Sequence, residues 1–344
     1  MRAVTFSQHG GPEVLRLGDA PEPRIGPGEV LIRVSACALN HLDLWIRRGM
    51  PGIEIPLPHI LGSDISGEIA EVGEGVTRLR AGQRVLLAPG LSCGECPQCL
   101  AGDDNLCRHY TVFGYLVDGG YAEYVKSPAA NVFPIPANLD FQQAAAMPLV
   151  FLTAWNMLVR RARLQPGEHV LVLGGGSGVG SAAIQIAKAM GARVIATAGS
   201  EQKLAKSREL GADDAIFHGR GDFSAEVRRL TAKRGVDVAF EHTGTATWEQ
   251  SISSLASGGR LVTCGATTGY DAHLDIRYLF SRNLSILGSY MGRRADLAPV
   301  LDLAGRGLLK PVVDCVVPLA RAAEAHTRLE SREQFGKIVL QVSG

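Results

Sequence analysis

Four cysteines fall in the short stretch 93–107 of GLSCGECPQCLAGDDNLCRH: Cys93, Cys96, Cys99 and Cys107, spaced C-x2-C-x2-C-x7-C. Four thiolates on one loop suit a closed tetrahedral Zn2+, and a closed site has no open coordination position, so its role is structural. An iron–sulfur cluster or free thiols are the alternatives, with His109 as a spare ligand. The regular spacing, with Gly94, Pro97 and Gly102 supplying turns, favours one structural Zn2+ per chain. A second chemistry is carried by Gly174-Gly175-Gly176-Ser177-Gly178-Val179-Gly180. Backbone amides at a helix start can hold a pyrophosphate, and absent side chains let it approach. Gly175, Ser177, Gly178, Val179 and Gly180 are therefore candidate cofactor contacts. The strict G-x-G-x-x-G template is not met, because with Gly180 as its last glycine Ser177 takes the middle place. A purely structural turn is the competing reading, and the strand–turn–helix setting favours the cofactor.

The elements that must position these groups fall into two rhythms. Residues 1 to about 128 read as short strands (30–39, 66–73, 83–89 and 120–127) punctuated by Gly and Pro, a compact β domain. From about 167 strands and helices alternate: HVLVLGG, AAIQIAKAMGA, RVIATAG, EQKLAKSRELGA, DAIFH, a helix near FSAEVRRLTAKRG, then VDVAFEHTG, WEQSISSLASGG, RLVTCGATTG and LSILGSYMG. That alternation predicts an α/β domain with a parallel sheet covered on both faces. The tail from about 300 leaves the repeat and is expected to fold back on the first domain. The strand RVIATAG also bears on the nucleotide. NAD enzymes commonly end this strand with an acid that binds the ribose hydroxyls. Here it runs Thr197-Ala198-Gly199-Ser200, with no acid before Glu201. The space, the Ser200 hydroxyl and the Lys203 cation favour NADP(H) over NAD(H). Lys203 reads equally well as a solvated helix residue.

Composition sets the outer limits. The 344 residues predict about two domains. Lys+Arg 35 against Asp+Glu 34 leaves a net charge of +1, which disfavours nucleic acid as a partner. The short cluster RRAR at 160–163 reads as a solvated helix end. The longest apolar stretch, 144–155, is interrupted by Pro148 and is shorter than the ~20 residues of a membrane span. The N-terminus lacks an apolar signal core, so a cytoplasmic location is expected. Seven cysteines, four of them clustered in a long chain, do not read as a secreted disulfide scaffold.

Together the cysteine spacing, the glycine loop and FGKIVLQV near the end resemble the medium-chain dehydrogenase/reductase superfamily, over essentially the whole chain. The resemblance implies a GroES-like catalytic domain (1–130 and 300–344, zinc lobe 91–109) and a doubly wound Rossmann domain (131–299). It also implies a homodimer or homotetramer, and LSILGSYMG could be an edge strand that pairs with its twin. Family alcohol dehydrogenases bind a catalytic zinc through Cys, His and Cys. The corresponding positions here are Asn40, Ser63 and Leu149, none a strong ligand, and Leu42 replaces the hydroxyl of the usual proton relay. His41, His59, Asp43 and Asp64 lie nearby as candidates for a rebuilt metal site.

ALNHLDLWIRRG is instead similar to the zinc-free quinone oxidoreductases of the superfamily. That similarity makes Asn40, Asp43 and Trp45 candidate catalytic residues. Asn40 would hydrogen-bond the acceptor oxygen, Asp43 would order the loop, and Trp45 lacks the phenolic donor of a Tyr. A loop cap for Asn40 and a core role for Trp45 are the plainer readings. His41, Thr153, Thr243, Gly265 and Lys337 are the further cofactor contacts the resemblance implies. The expected chemistry is hydride transfer from NADPH to a small, already electron-poor acceptor such as a quinone or enone, with no convincing general acid. A zinc-dependent alcohol dehydrogenase with a rebuilt site and a non-enzymatic NADPH sensor carrying a zinc lobe are the alternatives.

Overall fold

The apolar run at 30–39 becomes strand Glu29–Ala38 of the computed structural model, which describes residues 1–219 and 221–343. Alternate residues of this strand (Val30, Ile32, Val34) are fully buried, as the two-residue period of a sheet requires. The described chain divides into two compact units. One comprises Met1–Leu149, Arg293–Gly307 and Pro311–Gly344; the other comprises Val150–Gly292 and Leu308–Lys310. No helix among the described residues is long and apolar enough to cross a membrane.

The first unit is built on a seven-stranded sheet. Its order is Val132–Pro134, Arg84–Leu87, Asp64–Val72, Glu29–Ala38, Lys337–Gln341 and Val313–Pro318, with Tyr124–Pro128 also paired to Glu29–Ala38. One edge of Glu29–Ala38 runs antiparallel to Asp64–Val72. The other is shared: Glu29 to Arg33 pair with Tyr124–Pro128, and Ala36 to Ala38 pair with the C-terminal strand. The chain end is thus built into the sheet, and Leu39 N donates to Ile338 O at 2.9 Å. The expected strand at 120–127 begins only at Tyr124. Residues 120 and 121 instead follow the 61–62 backbone, Gly120 N to Gly62 O at 2.9 Å and Tyr121 N to Leu61 O at 2.9 Å.

The second unit is a six-stranded parallel sheet. Its order is Asp214–Phe217, Arg193–Ala198, His169–Val172, Val236–Glu241, Leu255–Thr263 and Ser285–Gly288. The chain starts at the central strand His169–Val172, winds outward on one side, then crosses to the other. In open parallel sheets of this kind the switch point, at the carboxyl ends of the strands, is where ligands bind. Helix Trp248–Ser253 stops five residues before Gly258. The ASGG stretch that reads as a helix end lies inside strand Leu255–Thr263, pulled into parallel register with Val236–Glu241 across a bulge. Ser285–Gly288 is an edge strand.

Candidate functional site

The cysteine lobe is assembled locally. Strands Gly90–Leu91 and Thr111–Val112 pair at its base, and Cys96 caps the short helix Pro97–Leu100. The four Sγ atoms lie within 4.8 Å of one another; Cys93–Cys99 is 3.9 Å, Cys96–Cys99 3.5 Å and Cys93–Cys107 3.5 Å. Zinc–sulfur bonds of about 2.3 Å in a tetrahedron place sulfurs about 3.8 Å apart, so the quartet fits Zn2+. The backbone N–H groups of Glu95 and Cys96 pull the Cys93 thiol down to about 6, while burial and hydrogen bonds to the neighbouring thiols push Cys96 up to about 11, as in a cluster whose thiols share protons in the absence of a cation. Among the described residues no other group of three or more His, Cys, Asp or Glu ligand atoms is close enough to hold an ion. The lobe is tied to its unit by Arg293–Asp103 at 2.5 Å and by the Arg294 N–H to Asp104 at 3.1 Å.

The glycine loop sits at the carboxyl end of His169–Val172, and its last three residues open helix Gly178–Ala189. Ser177 caps that helix, its Oγ accepting from Gly180 N at 2.9 Å. A Cβ at Gly180 would run into the Gly174 carbonyl, and Gly174 has φ +58, so both positions require glycine. Gly175 lies against Ile184, Ser207 and Ala196, which lets the helix pack on the sheet. The first-turn amides, Gly178 and Val179 among them, have no helical partner and are the donors a pyrophosphate uses. Thr243 and Gly265 join the same face: both follow strand ends, and a Cβ on Gly265 would meet His242 O at 3.0 Å. Ser200 caps helix Glu201–Glu209, accepting from Lys203 N at 3.2 Å, just past Arg193–Ala198. Two histidines that the motif reading passed over line this region. His242 Nε2 lies 2.8 Å from Leu173 O and 3.3 Å from Ser177 Oγ. His218 Nδ1 lies 3.3 Å from Thr197 Oγ1, and burial with Lys203 nearby lowers its pKa. Thr153 is buried in helix Pro148–Trp155, with its Oγ1 unpartnered.

The first unit gathers the other group of candidates. Asn40 is the N-cap residue of helix His41–Arg48, with extended backbone, and its N–H donates to Asp43 Oδ2 at 2.7 Å. Its carboxamide reaches away from the helix. Lys337 Nζ donates to Asn40 Oδ1 at 2.5 Å, and Asn40 Nδ2 donates to Asp64 Oδ2 at 3.0 Å. Lys337 also donates to Asp64 Oδ2 at 2.8 Å, and Leu149 N–H donates to Asp64 Oδ1 at 2.7 Å. Lys337 and Asp64 side chains are 4% and 0% exposed, so this is a buried ion pair, supported by the Asn40 carboxamide and the Leu149 amide. Lys337, a cofactor contact by the family resemblance, directs its ammonium to Asn40 and Asp64 in this structure. His41 opens the helix and faces Trp45 at a ring distance of 6.4 Å. Trp45 is 37% exposed and not a core residue.

Behind Asp43 runs a chain that sequence reasoning missed. Tyr121 Oη lies 3.4 Å from Asp43 Oδ2 and 3.2 Å from His326 Nε2, and His326 Nδ1 lies 3.0 Å from Arg47 Nη1. Arg47 can only donate. His326 Nδ1 must therefore accept, its Nε2–H donates to Tyr121, and the Tyr121 hydroxyl donates to Asp43. Burial, then the Arg47 charge, push His326 down to about 3, so the ring is neutral. Arg47 is fully buried and ion-paired with Glu330. Burial raises Asp43 to about 6 against the pull of the Asn40 amide and Lys337, and its Oδ1 has no partner.

At the three positions where relatives hold a catalytic zinc, Asn40 is engaged by Lys337 and Asp64, Ser63 Oγ donates to Phe113 O at 2.7 Å, and Leu149 offers only its backbone. A cation already sits 2.5 Å from Asn40 Oδ1. This donor set does not fit a catalytic zinc.

A glycine-rich turn at the switch point of a six-stranded parallel sheet, on a chain that also carries a four-thiolate lobe, is the arrangement expected of a dinucleotide-dependent oxidoreductase. The comparisons with known proteins agree. Residues 26–137 match the alcohol dehydrogenase GroES-like domain, and residues 178–306 match the zinc-binding dehydrogenase family. The chain is 36% identical to an alcohol dehydrogenase of Geobacillus stearothermophilus over 96% of both chains, and 33% identical to a quinone oxidoreductase of Rattus norvegicus over 99% of this chain and 97% of that one. A crystal structure described as an NAD-dependent alcohol dehydrogenase superimposes with a TM-score of 0.98 at 52% identity, covering both chains completely. The chain belongs to the medium-chain dehydrogenase/reductase superfamily and is an NAD(P)-dependent oxidoreductase.

Proposed function

We propose that the protein is an NADPH-dependent reductase of quinones, enones and similar conjugated carbonyls that works without a catalytic zinc. The observation that carries this reading is the occupation of the lost ligand positions by the internal Asn40–Lys337–Asp64 network. Without a Lewis acid on the reacting oxygen, the acceptor must bring its own electrophilicity. Bound NADPH supplies a hydride. An enone reduced at its β-carbon would carry negative charge on its oxygen until water returns a proton to the α-carbon. Asn40, by its spare Nδ2–H, holds that oxygen as charge develops. Asp43 fixes the loop through the Asn40 amide. Trp45 and His41 flank Asn40 on the helix, and Thr153 with its free hydroxyl orients the nicotinamide. Gly175, Ser177, Gly178, Val179, Gly180, Thr243 and Gly265 hold the pyrophosphate and its neighbours. Ser200 and Lys203 take the 2′-phosphate, the feature that favours NADP over NAD. Cys93, Cys96, Cys99 and Cys107 hold one structural Zn2+. Edge strand Ser285–Gly288 pairs two copies into a dimer, and a thiolate zinc lobe, which oxidation to disulfides would destroy, suits the reducing cytoplasm.

Steady-state assays with NADPH and NADH against a quinone, an enone and simple alcohols test this. The expected result is acceptor reduction with NADPH, poor alcohol oxidation and about one zinc per chain. A second reading has a specific observation behind it: the 52% identical structure is described as an NAD-dependent alcohol dehydrogenase. Chelator-sensitive alcohol oxidation with two zincs per chain would establish that reading instead.

A further inference from the structure

Glu241 closes strand Val236–Glu241 and is 0% exposed. Its oxygens accept four hydrogen bonds, the full set a carboxylate takes. Oε1 accepts from the N–H groups of Thr243 at 2.5 Å and Gly244 at 3.1 Å, and Oε2 from the hydroxyls of Thr247 at 2.9 Å and Ser251 at 2.8 Å. All four donors are neutral. No lysine or arginine among the described residues forms an ion pair with Glu241. A buried carboxylate held by dipoles alone keeps its field, because a low-dielectric interior screens charge far less than water does. That field is felt on the neighbouring loop: burial and the Glu241 charge push the Cys264 thiol up to about 12.

The charge lies on one side of the switch point. In doubly wound sheets the dinucleotide spans that point, with its adenosine ribose read at the end of the strand after the glycine loop, here Arg193–Ala198. The nicotinamide half therefore belongs to the other half-sheet, at the loops that follow Val236–Glu241 and Leu255–Thr263. Those loops carry Thr243 and Gly265, and they are bonded to each other. Thr243 O accepts from Thr268 N and Thr268 Oγ1, both at 2.7 Å; Ala246 N donates to Thr268 Oγ1 at 3.1 Å and Thr245 N to Gly269 O at 3.2 Å. By gripping Thr243, Gly244 and Thr247, Glu241 fixes the first loop directly and the second through it. An oxidised nicotinamide ring is cationic and a reduced one is neutral, so a fixed negative charge on this side tells the two apart.

We infer that Glu241 is a positioning residue for the nicotinamide half of the cofactor: its clamp sets both loops, and its charge favours the oxidised ring over the reduced one. In the direction of reduction that preference makes the bound cofactor a stronger hydride donor. The inference rests on the chain being a nicotinamide-dependent oxidoreductase and not on which acceptor it reduces. The zinc-loaded full-length protein is titrated by calorimetry with the oxidised and reduced forms of the dinucleotide it binds more tightly. A third titrant is the matching ADP-ribose, which lacks the nicotinamide. Deuterium uptake is followed across 242–247 and 265–269. Glu241→Gln keeps an oxygen for the two amides and offers an NH2 group to the two hydroxyls, so the clamp stays and the charge goes. Its loop uptake and ADP-ribose affinity should match wild type. Its affinity for the oxidised form should fall about 5- to 20-fold relative to the reduced form, the size of one unit-charge interaction at an effective dielectric of about 20. Glu241→Ala removes the clamp as well; uptake should rise in both loops, and both dinucleotide forms should bind about tenfold more weakly or worse, with ADP-ribose little changed. Ser251→Ala takes away one donor and leaves the charge, so uptake across 242–247 should rise while the oxidised-to-reduced preference stays at the wild-type value or above it. An unchanged preference in Glu241→Gln, a lowered one in Ser251→Ala, or an equal loss of ADP-ribose and dinucleotide in Glu241→Ala overturns the inference. A preference that moves as expected in a protein that reduces neither quinones nor enones sinks the reductase reading and leaves this inference standing.

Discussion

Replacing His326 by Gln probes the chain Arg47–His326–Tyr121–Asp43 through its protonation. Glutamine keeps the polarity, an oxygen to accept from Arg47 and an N–H to donate to Tyr121, but it does not titrate. The histidine is fully buried, and its pKa falls from 6.5 to about 3 through burial and the Arg47 charge. Because the folded-state value is depressed, the unfolded chain binds more protons from pH 6.5 down to about 3. Stability from the neutral ring is therefore complete above 6.5 and lost as pH falls. At pH 5.0, some 1.5 units below 6.5, the loss is about 2 kcal/mol. Asp43 acts in the opposite sense. Raised from 3.8 to about 6, it favours the folded state below 6 and gives back about 1 kcal/mol by pH 5.0. That term is common to both proteins and drops out of their difference. At pH 7.5 His326→Gln should be about 1–2 kcal/mol less stable than wild type, the cost of poorer hydrogen bonds. At pH 5.0 the gap should close or reverse by about 2 kcal/mol. Urea unfolding, followed by deuterium uptake in strand Lys337–Gln341, measures both gaps. An equal gap at the two pH values would refute the assignment of a neutral, doubly committed imidazole.

Three further outcomes follow from the same geometry. Removing zinc with a strong chelator, or substituting Cys107→Ser, should release about one metal per chain and raise deuterium uptake across 91–109, with NADPH binding retained; mass spectrometry reads both. Gly180→Ala drives a methyl into the Gly174 carbonyl. It should cost about 1–3 kcal/mol in stability and at least tenfold in cofactor affinity, measured by thermal unfolding and NADPH fluorescence. Ser200→Asp places a carboxylate where the 2′-phosphate is expected and should shift the NADPH-to-NADH ratio of kcat/KM toward NADH by about 10- to 100-fold, as steady-state kinetics will show.

How far the site could be read in advance depends on how far apart its parts lie along the chain. Cys93 to Cys107 close on one another within a loop, so spacing and turn residues carry the whole argument. The glycine loop is equally local: strand, turn and helix are consecutive, and Gly174 and Gly180 are required by backbone geometry that the motif itself encodes. The strand that starts at Tyr124 and the strand that runs through Gly258 and Gly259 depart from the local turn signals because partner strands override turn propensity.

The amino-acid sequence alone determined the two-domain α/β plan, the thiolate lobe and the nucleotide turn, because each is written in neighbouring residues whose chemistry is set by short-range geometry. It also told which zinc ligands are absent. Only the tertiary structure decided what stands in their place. Lys337 meets Asn40 across 297 residues and Asp64 across 273, and His326 meets Tyr121 across 205. Those meetings follow from the antiparallel register of Lys337–Gln341 on Glu29–Ala38, a pairing selected by the summed burial of the sheet and by no single local signal.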